Sequence, residues 1–142
     1  PSELYVTIIH PQIELKTSDS RSIVDRKIHI SKMIEQSANL GAFISSLYEE
    51  DYELLKRSIK DVIIEPYRSE LIPEFKNLKK IALKNNALGF GISGSGPSMF
   101  SLCKGIKSAN SVIKNMEYQL DKMDINYKSY ISKINKKGLK IL

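Results

Sequence analysis

Four of the chain's seven glycines fall between positions 89 and 96, in the stretch "GFGISGSGPS". Glycine tolerates positive φ and lets a backbone approach a ligand closely. Successive N–H groups in such a loop can form a concave nest for an anion, and Ser93, Ser95 and Ser98 add hydroxyl donors. The segment therefore predicts contact with a phosphate or a carboxylate, without a titratable catalyst in the loop. A tight turn between two strands is the simpler alternative, although a hairpin needs only one or two glycines.

Two arginines are the other residues that could bind an anion, because a guanidinium holds a carboxylate through two parallel hydrogen bonds. Arg21 ends the segment "TSDSR", whose Thr17 or Ser18 is expected to cap a helix. A cation in the first turn of that helix is disfavoured by the helix dipole, so an anionic ligand or an ion pair with Asp25 would explain it. Arg68 lies two residues after Pro66, near Glu65 and Glu70. A structural ion pair is the alternative to a ligand-binding role for this arginine, and Glu65 could orient it.

The remaining reactive side chains favour structural roles. Cys103 is the only cysteine, which excludes an internal disulfide, and its apolar surroundings predict a buried, inert thiol. His10 precedes Pro11 at the end of a strand and is expected to be a packed or surface histidine. No cluster of histidine, cysteine and carboxylates has the spacing of a metal site.

The bulk properties are those of one folded domain over residues 1–142. Hydrophobic residues make up 42% of the chain, and no apolar run is long enough to cross a membrane. The net charge is +6, which admits nucleic acid or anionic small molecules as partners. The lysines are dispersed, however, and tryptophan is absent, so a solvated face is favoured over a nucleic-acid surface.

The elements that must position these residues follow from hydrophobic periodicity. A buried strand is predicted over 4–10, and helices over 17–26, from Ser31 onward, over 51–63, over 73–86 and over 107–123. The predicted helix that begins at Ser31 carries an apolar stripe, which consists of Ile34, Ala38, Gly41, Ile44 and Tyr48. Strands are expected at 87–92, 98–103 and in "YKSYISKI", with a further short strand in "GLKIL". The order predicts an α+β fold with a mostly antiparallel sheet and helices on one face.

The motif "GISGSGPS" resembles the third signature motif of the GHMP small-molecule kinases. More narrowly, the blocks "IHPQIELKTSDSR", "DVIIEPYRSELIPEF", "LGFGISGSGPSMFSL" and "YISKINKKGLKIL" resemble, in order, the C-terminal half of bacterial homoserine kinases. The resemblance implies a ferredoxin-like α+β domain. It also implies that the chain, which begins at Pro1, is a fragment whose N-terminal half, with the main phosphate loop and the residues near magnesium, is absent.

The activity implied by this resemblance is transfer of the ATP γ-phosphate to L-homoserine, a step toward threonine. Thr17, Arg21 and Arg68 would hold the substrate, and no catalytic residue or metal ligand is assigned to this chain. The loop residues would border the active site and support the phosphate loop of the other half; they are Gly91, Ser93, Gly94, Ser95, Gly96 and Pro97. ATP and Mg²⁺ would be bound mainly by the absent half of a cytoplasmic enzyme, and family members often form homodimers.

Two other functions remain open on the sequence alone. A different GHMP kinase, acting on an isoprenoid precursor, would share the glycine motif. A non-enzymatic α+β module that binds an amino acid or nucleic acid would account for the glycines and the positive charge.

Overall fold

The computed structural model describes residues 1–24, 27–135 and 137–138, with the backbone alone for Thr17, Asp19 and Ser20. The strands are β1 (Leu4–Pro11), β2 (Ala87–Ile92), β3 (Met99–Lys104) and β4 (Tyr127–Lys133). The helices are α1 (Thr17–Ser22), α2 (Ile30–Glu49), α3 (Tyr52–Ser58), α4 (Glu65–Arg68), α5 (Phe75–Lys84) and α6 (Gly105–Lys122). A short 3₁₀ helix, Ser69–Leu71, follows α4. The described part of the chain contains no helix that is long and apolar enough to cross a membrane.

The four strands form one antiparallel sheet in the order β2-β3-β1-β4. In this register Thr7 lies opposite both Ser101 and Ile131, so side chains at these positions share one face. The register of β2 shifts between Ala87 and Gly89, which marks a bulge. The glycine-rich loop connects β2 to β3, and these two strands pair as a hairpin. The α+β class and the antiparallel sheet are thus confirmed.

The first face of the sheet is covered by α5 and α6. Both helices carry apolar residues at helical spacing, and these side chains are buried against the sheet. Phe75 of α5 packs edge-to-face on Phe90 of β2, with ring centroids 5.3 Å apart. The fully buried members of this cluster are Ile9, Leu78, Ala82, Met99, Cys103, Ala109, Val112, Met116 and Leu120. This layer is the main core of the domain.

The second face carries a smaller cluster beneath α2 and α3, so the expected single helical layer is accompanied by a second one. Leu4, Leu55, Leu88 and Leu102 are its buried members. Partly buried side chains of α2, including Phe43 and Leu47, pack against them. Gly89 has no side chain at the point where Ile59 contacts β2, and a Cβ built there would lie 2.0 Å from Ile59 Cγ2. A bare backbone is therefore required for α3 to reach the sheet.

Helix α2 turns its expected apolar stripe toward solvent. Ile34 is 63% exposed and Tyr48 85% exposed, whereas Phe43 and Leu47 face the sheet. His29, rather than Ser31, is the N-cap residue, because its Nδ1 accepts a hydrogen bond from the Ser31 backbone N–H. The apolar stripe identified by periodicity is present on α2, but the helix packs against the sheet through a different face.

Several predicted boundaries differ from the structure. The helix predicted over 51–63 ends at Ser58, and Pro66 lies at the start of α4 instead of ending the preceding helix. Proline suits the first helical positions because its missing N–H has no partner there. Helix α1 ends at Ser22, short of the predicted residue 26. The short strand predicted in "GLKIL" falls on residues 138–142, of which all but Gly138 lie outside the described residues.

Candidate functional site

The glycine-rich loop is a folded turn held by its own backbone. The Ser93 N–H donates to the Ser98 carbonyl at 2.8 Å, and the Gly96 N–H donates to the Ser93 carbonyl at 3.2 Å. Gly94 and Gly96 have φ values of 62° and 83°, which favour glycine. A Cβ on Gly96 would also lie 2.9 Å from Ile72 Cδ1. The glycines thus allow a compact loop to be closed against the 3₁₀ segment, as well as leaving backbone accessible.

Arg68 is attached directly to this loop. Its Nη1 donates a hydrogen bond to the Gly94 carbonyl at 2.9 Å, across 26 residues of sequence. Arg68 lies in the last turn of α4, where the helix dipole favours a cation. The structure therefore brings together one of the predicted substrate-binding arginines and the predicted anion loop.

Helix α4 is positioned by neighbouring polar contacts. Asp61 Oδ1 accepts hydrogen bonds from the backbone N–H groups of Ile63 at 3.0 Å and Ile64 at 2.7 Å, which organises the turn before the helix. Glu65 Oε1 accepts a hydrogen bond from Lys79 Nζ of α5, in a half-buried ion pair. These contacts fix α4 to both its own N-terminal turn and the main core layer.

The two acidic residues nearest to Arg68 in sequence have lysine partners. Glu65 pairs with Lys79, and Glu70 pairs with Lys76 at 2.6 Å. Glu65 therefore joins α4 to α5, and an orienting effect on Arg68 stays a prediction. Lys79 was not identified from the sequence, because a lysine in a lysine-rich amphipathic helix gives no signal that distinguishes it.

Arg21 and Thr17 lie on α1, a separate short helix. Arg21 is exposed, and because α1 has only six residues it lies in the last turn of this helix. The dipole argument for an anionic ligand therefore fails, since cations are favoured near a helix C-terminus. The alternative partner Asp25 and the side chain of Thr17 are outside the described part. Convergence of Arg21 with Arg68 stays a prediction.

His10 has a specific contact that the sequence did not reveal. Its Nδ1 lies 2.8 Å from Ser98 Oγ, so the end of β1 is joined to the exit of the glycine loop across 88 residues. The histidine is partly buried and packed, in agreement with the expected structural role. Its contact adds a second fixed point, besides Arg68, to the loop.

The two remaining predictions about reactive groups concern Cys103 and metals. Cys103 is buried in the main core, which confirms the predicted burial, and this burial raises the pKa of its thiol to about 11. No group of three or more histidine, cysteine or acidic residues capable of holding a metal ion occurs among the residues that the structure describes.

Sequence and structure comparisons place these observations in a family. Residues 43–122 match the family described as GHMP kinases C terminal. Over the full chain, 40% of residues are identical to a homoserine kinase of Chlorobium phaeobacteroides strain BS1, and the match covers 45% of that protein. The chain therefore spans less than half the length of the curated relatives it matches.

Solved structures give the same relationship. A homoserine kinase from Cytophaga hutchinsonii superimposes with a TM-score of 0.93 and 41% identity, over 96% of this chain and 43% of that one. A phosphomevalonate kinase from Streptococcus pneumoniae shares the fold, with a TM-score of 0.69 at 12% identity, over 94% of this chain and 41% of that one. The sheet order, the glycine-rich loop and these matches lead to one conclusion: the chain belongs to the GHMP kinase C-terminal domain family.

Proposed function

We propose that residues 1–142 form the C-terminal, substrate-side domain of a longer homoserine kinase, which transfers the γ-phosphate of ATP to the hydroxyl of L-homoserine. The products are ADP and O-phospho-L-homoserine, a precursor in threonine biosynthesis. The contact between Arg68 and the Gly94 carbonyl carries this proposal, because it sets an anion-binding side chain against the loop that would border the phosphates. The relatives named homoserine kinase support this substrate over an isoprenoid precursor and over a non-enzymatic module.

The role of this domain is to bind and orient the amino acid. Phosphoryl transfer depends mostly on positioning and on neutralising charge, so a rigid grip on the substrate is a catalytic contribution. Arg68 and Arg21 would bind the homoserine carboxylate, with Thr17 as a polar neighbour. One Arg68 nitrogen is held by Gly94, which fixes the direction of the planar guanidinium before substrate arrives.

The glycine-rich loop would support the nucleotide side of the site. Gly91, Ser93, Gly94, Ser95, Gly96 and Pro97 would border the phosphates without supplying a proton acceptor. ATP and Mg²⁺ would be bound mainly by the N-terminal half of the kinase. The whole kinase would be a cytoplasmic enzyme, and a homodimer is its proposed assembly. ATP chemistry enters only when that half is present.

Substitution of Arg68 in the whole kinase tests this assignment. Arg68→Ala should weaken homoserine binding by about 2–5 kcal/mol, because it removes one side of a desolvated charge pair. ATP affinity should change far less, and both constants can be measured by steady-state kinetics. Arg57→Ala, at an exposed arginine of α3, is the matched control and should leave both constants unchanged.

Arg21→Ala extends the test, because Arg21 lies on a different helix from Arg68. The same selective loss of homoserine affinity is expected if the two arginines share one carboxylate. Equal weakening of homoserine and ATP in Arg68→Ala would contradict the proposed role and would point to collapse of the loop instead.

A further inference from the structure

A cavity of about 240 Å³ lies between α2 and the second face of the sheet. Since a water molecule occupies about 30 Å³ of liquid, this space can hold a molecule the size of an amino acid. The lining comes from α2, the segment 58–61, α4 and the β2-β3 hairpin. Among the described residues, Arg21, Arg68 and the loop 93–97 do not line it, whereas Gly91 does, so the cavity lies beside the proposed kinase site and shares one residue with it.

The greater part of the cavity wall is apolar. Phe43, Ile59 and Phe100 belong to the hydrophobic cluster beneath α2 and α3, and Leu40 and Ile92 complete the wall. Gly91 contributes no side chain to the wall, and a Cβ built there would lie 3.0 Å from the Phe100 ring. Such a surface favours an aliphatic or aromatic group of a ligand.

Two polar groups in the wall have unused hydrogen-bonding capacity. The Asn39 Nδ2 is buried and has no hydrogen-bond partner among the described residues, which is costly for a folded protein unless a ligand or water supplies one. Glu65 is 14% exposed, and its Oε1 is paired with Lys79. Its Oε2 faces the Gly91 backbone, 3.9 Å from the position of a Cβ there, and is available to accept a hydrogen bond. Gln36, by contrast, already accepts from the Val62 N–H at 2.9 Å.

The charges around the cavity restrict the ligand further. The carboxylates of Glu65 and Asp61 disfavour a simple anion, whereas a simple amine would leave the Asn39 donor without a partner. A ligand that carries both an ammonium and a carboxylate satisfies both groups, and Lys60 at the wall adds a positive charge for the carboxylate.

We propose that this cavity is a second small-molecule site, which binds a free amino acid with an apolar side chain. The ammonium contacts Glu65 Oε2, the carboxylate accepts from Asn39 Nδ2, and the side chain lies against Phe43 and Phe100.

Binding of three matched probes to the whole kinase tests this site by calorimetry. L-leucine carries both charged groups, whereas isoamylamine lacks the carboxylate and 4-methylpentanoate lacks the ammonium. L-leucine should bind about tenfold or more tightly than either probe, since each lost charged hydrogen bond weakens binding by about that factor. Saturating homoserine should not abolish leucine binding. Absence of leucine binding at millimolar concentration, or its complete displacement by homoserine, would overturn the proposal.

Variants of the two polar groups locate the binding. Asn39→Leu and Glu65→Gln should each weaken leucine binding about tenfold. Asn39→Asp keeps the size of the side chain but replaces the donor with a carboxylate, so it decides the matter if Asn39→Leu does not fold. Glu35→Gln, at an exposed position of α2, is the control and should bind leucine normally. Unchanged affinity in all the Asn39 and Glu65 variants would refute the site, whether or not the kinase phosphorylates homoserine.

Discussion

The two faces of the sheet are built differently. The face under α5 and α6 buries a continuous apolar cluster, in which Leu78, Met116 and Leu120 are fully buried. The face under α2 and α3 has a smaller cluster, a cavity with an unpaired Asn39 amide, and an exposed apolar stripe on α2. The first face therefore provides most of the stability, and the second leaves a cavity beside its smaller cluster. Differences in the cost of matched substitutions can test this division.

The largest effect is expected on the first face. Leu78→Ala should lower the free energy of unfolding of the 142-residue chain by about 2–5 kcal/mol, because it opens a cavity in a closely packed layer. Leu83→Ala is the control on the same helix, since Leu83 is 43% exposed, and should change stability by about 0.5 kcal/mol or less. Urea titration gives both values. Equal costs would show that the first face is not the packed core.

A smaller effect is expected where α3 meets β2. Gly89→Ala should destabilise the chain by about 1–3 kcal/mol, because the new methyl group would displace Ile59 and loosen the second layer. Gly41→Ala is the opposite case: beyond the neighbouring backbone of α2 itself, no atom of the described residues lies within 4 Å of its Cβ position, and alanine favours the middle of a helix. That control should stabilise the chain by about 0.5–1 kcal/mol. Adding Ile59→Ala to Gly89→Ala should restore part of the loss, and failure to do so would argue against this contact.

The smallest effect is expected on the outer side of α2. Ile34→Ser should change the free energy of unfolding of this chain by about 0.5 kcal/mol or less, because Ile34 is exposed and the two residues have similar helix propensities. Phe43→Ser, on the inner side of the same helix, should cost clearly more. A larger loss for Ile34→Ser than for Phe43→Ser in thermal or urea unfolding would mean that α2 packs through the opposite face.

Most elements of the fold could be predicted from local patterns. The β-branched run of β1 predicts a strand that is buried on both faces. The helical spacing of Val112, Ile113, Met116 and Leu120 predicts that α6 has one apolar face. Helix α2 is different, since Ile34 and Ile44 line one side while Phe43 and Leu47 line the other. Periodicity finds the helix but cannot decide which apolar side meets the sheet. That decision is made by tertiary packing on β2 and β3.

The site was predictable in its residue types but not in its contacts. The glycines and Arg68 could be singled out because their chemistry suits an anion. The pairs Arg68–Gly94, His10–Ser98 and Glu65–Lys79 join residues that are distant in sequence, and no local pattern encodes such pairs. The partner of Glu65 could not be predicted, because Lys79 lies 14 residues further along the chain on another helix.

The ion pair between Glu65 and Lys79 couples the two layers in a way that bears on motion. Lys79 belongs to α5, whose apolar side is buried in the main core, whereas Glu65 begins the four-residue helix that ends in Arg68. A helix this short would fray readily on its own. Through this pair, opening of the short helix requires breaking a half-buried charge contact with the main core layer. The arginine at the end of α4 is thereby kept in place by a contact made at the opposite end of the helix.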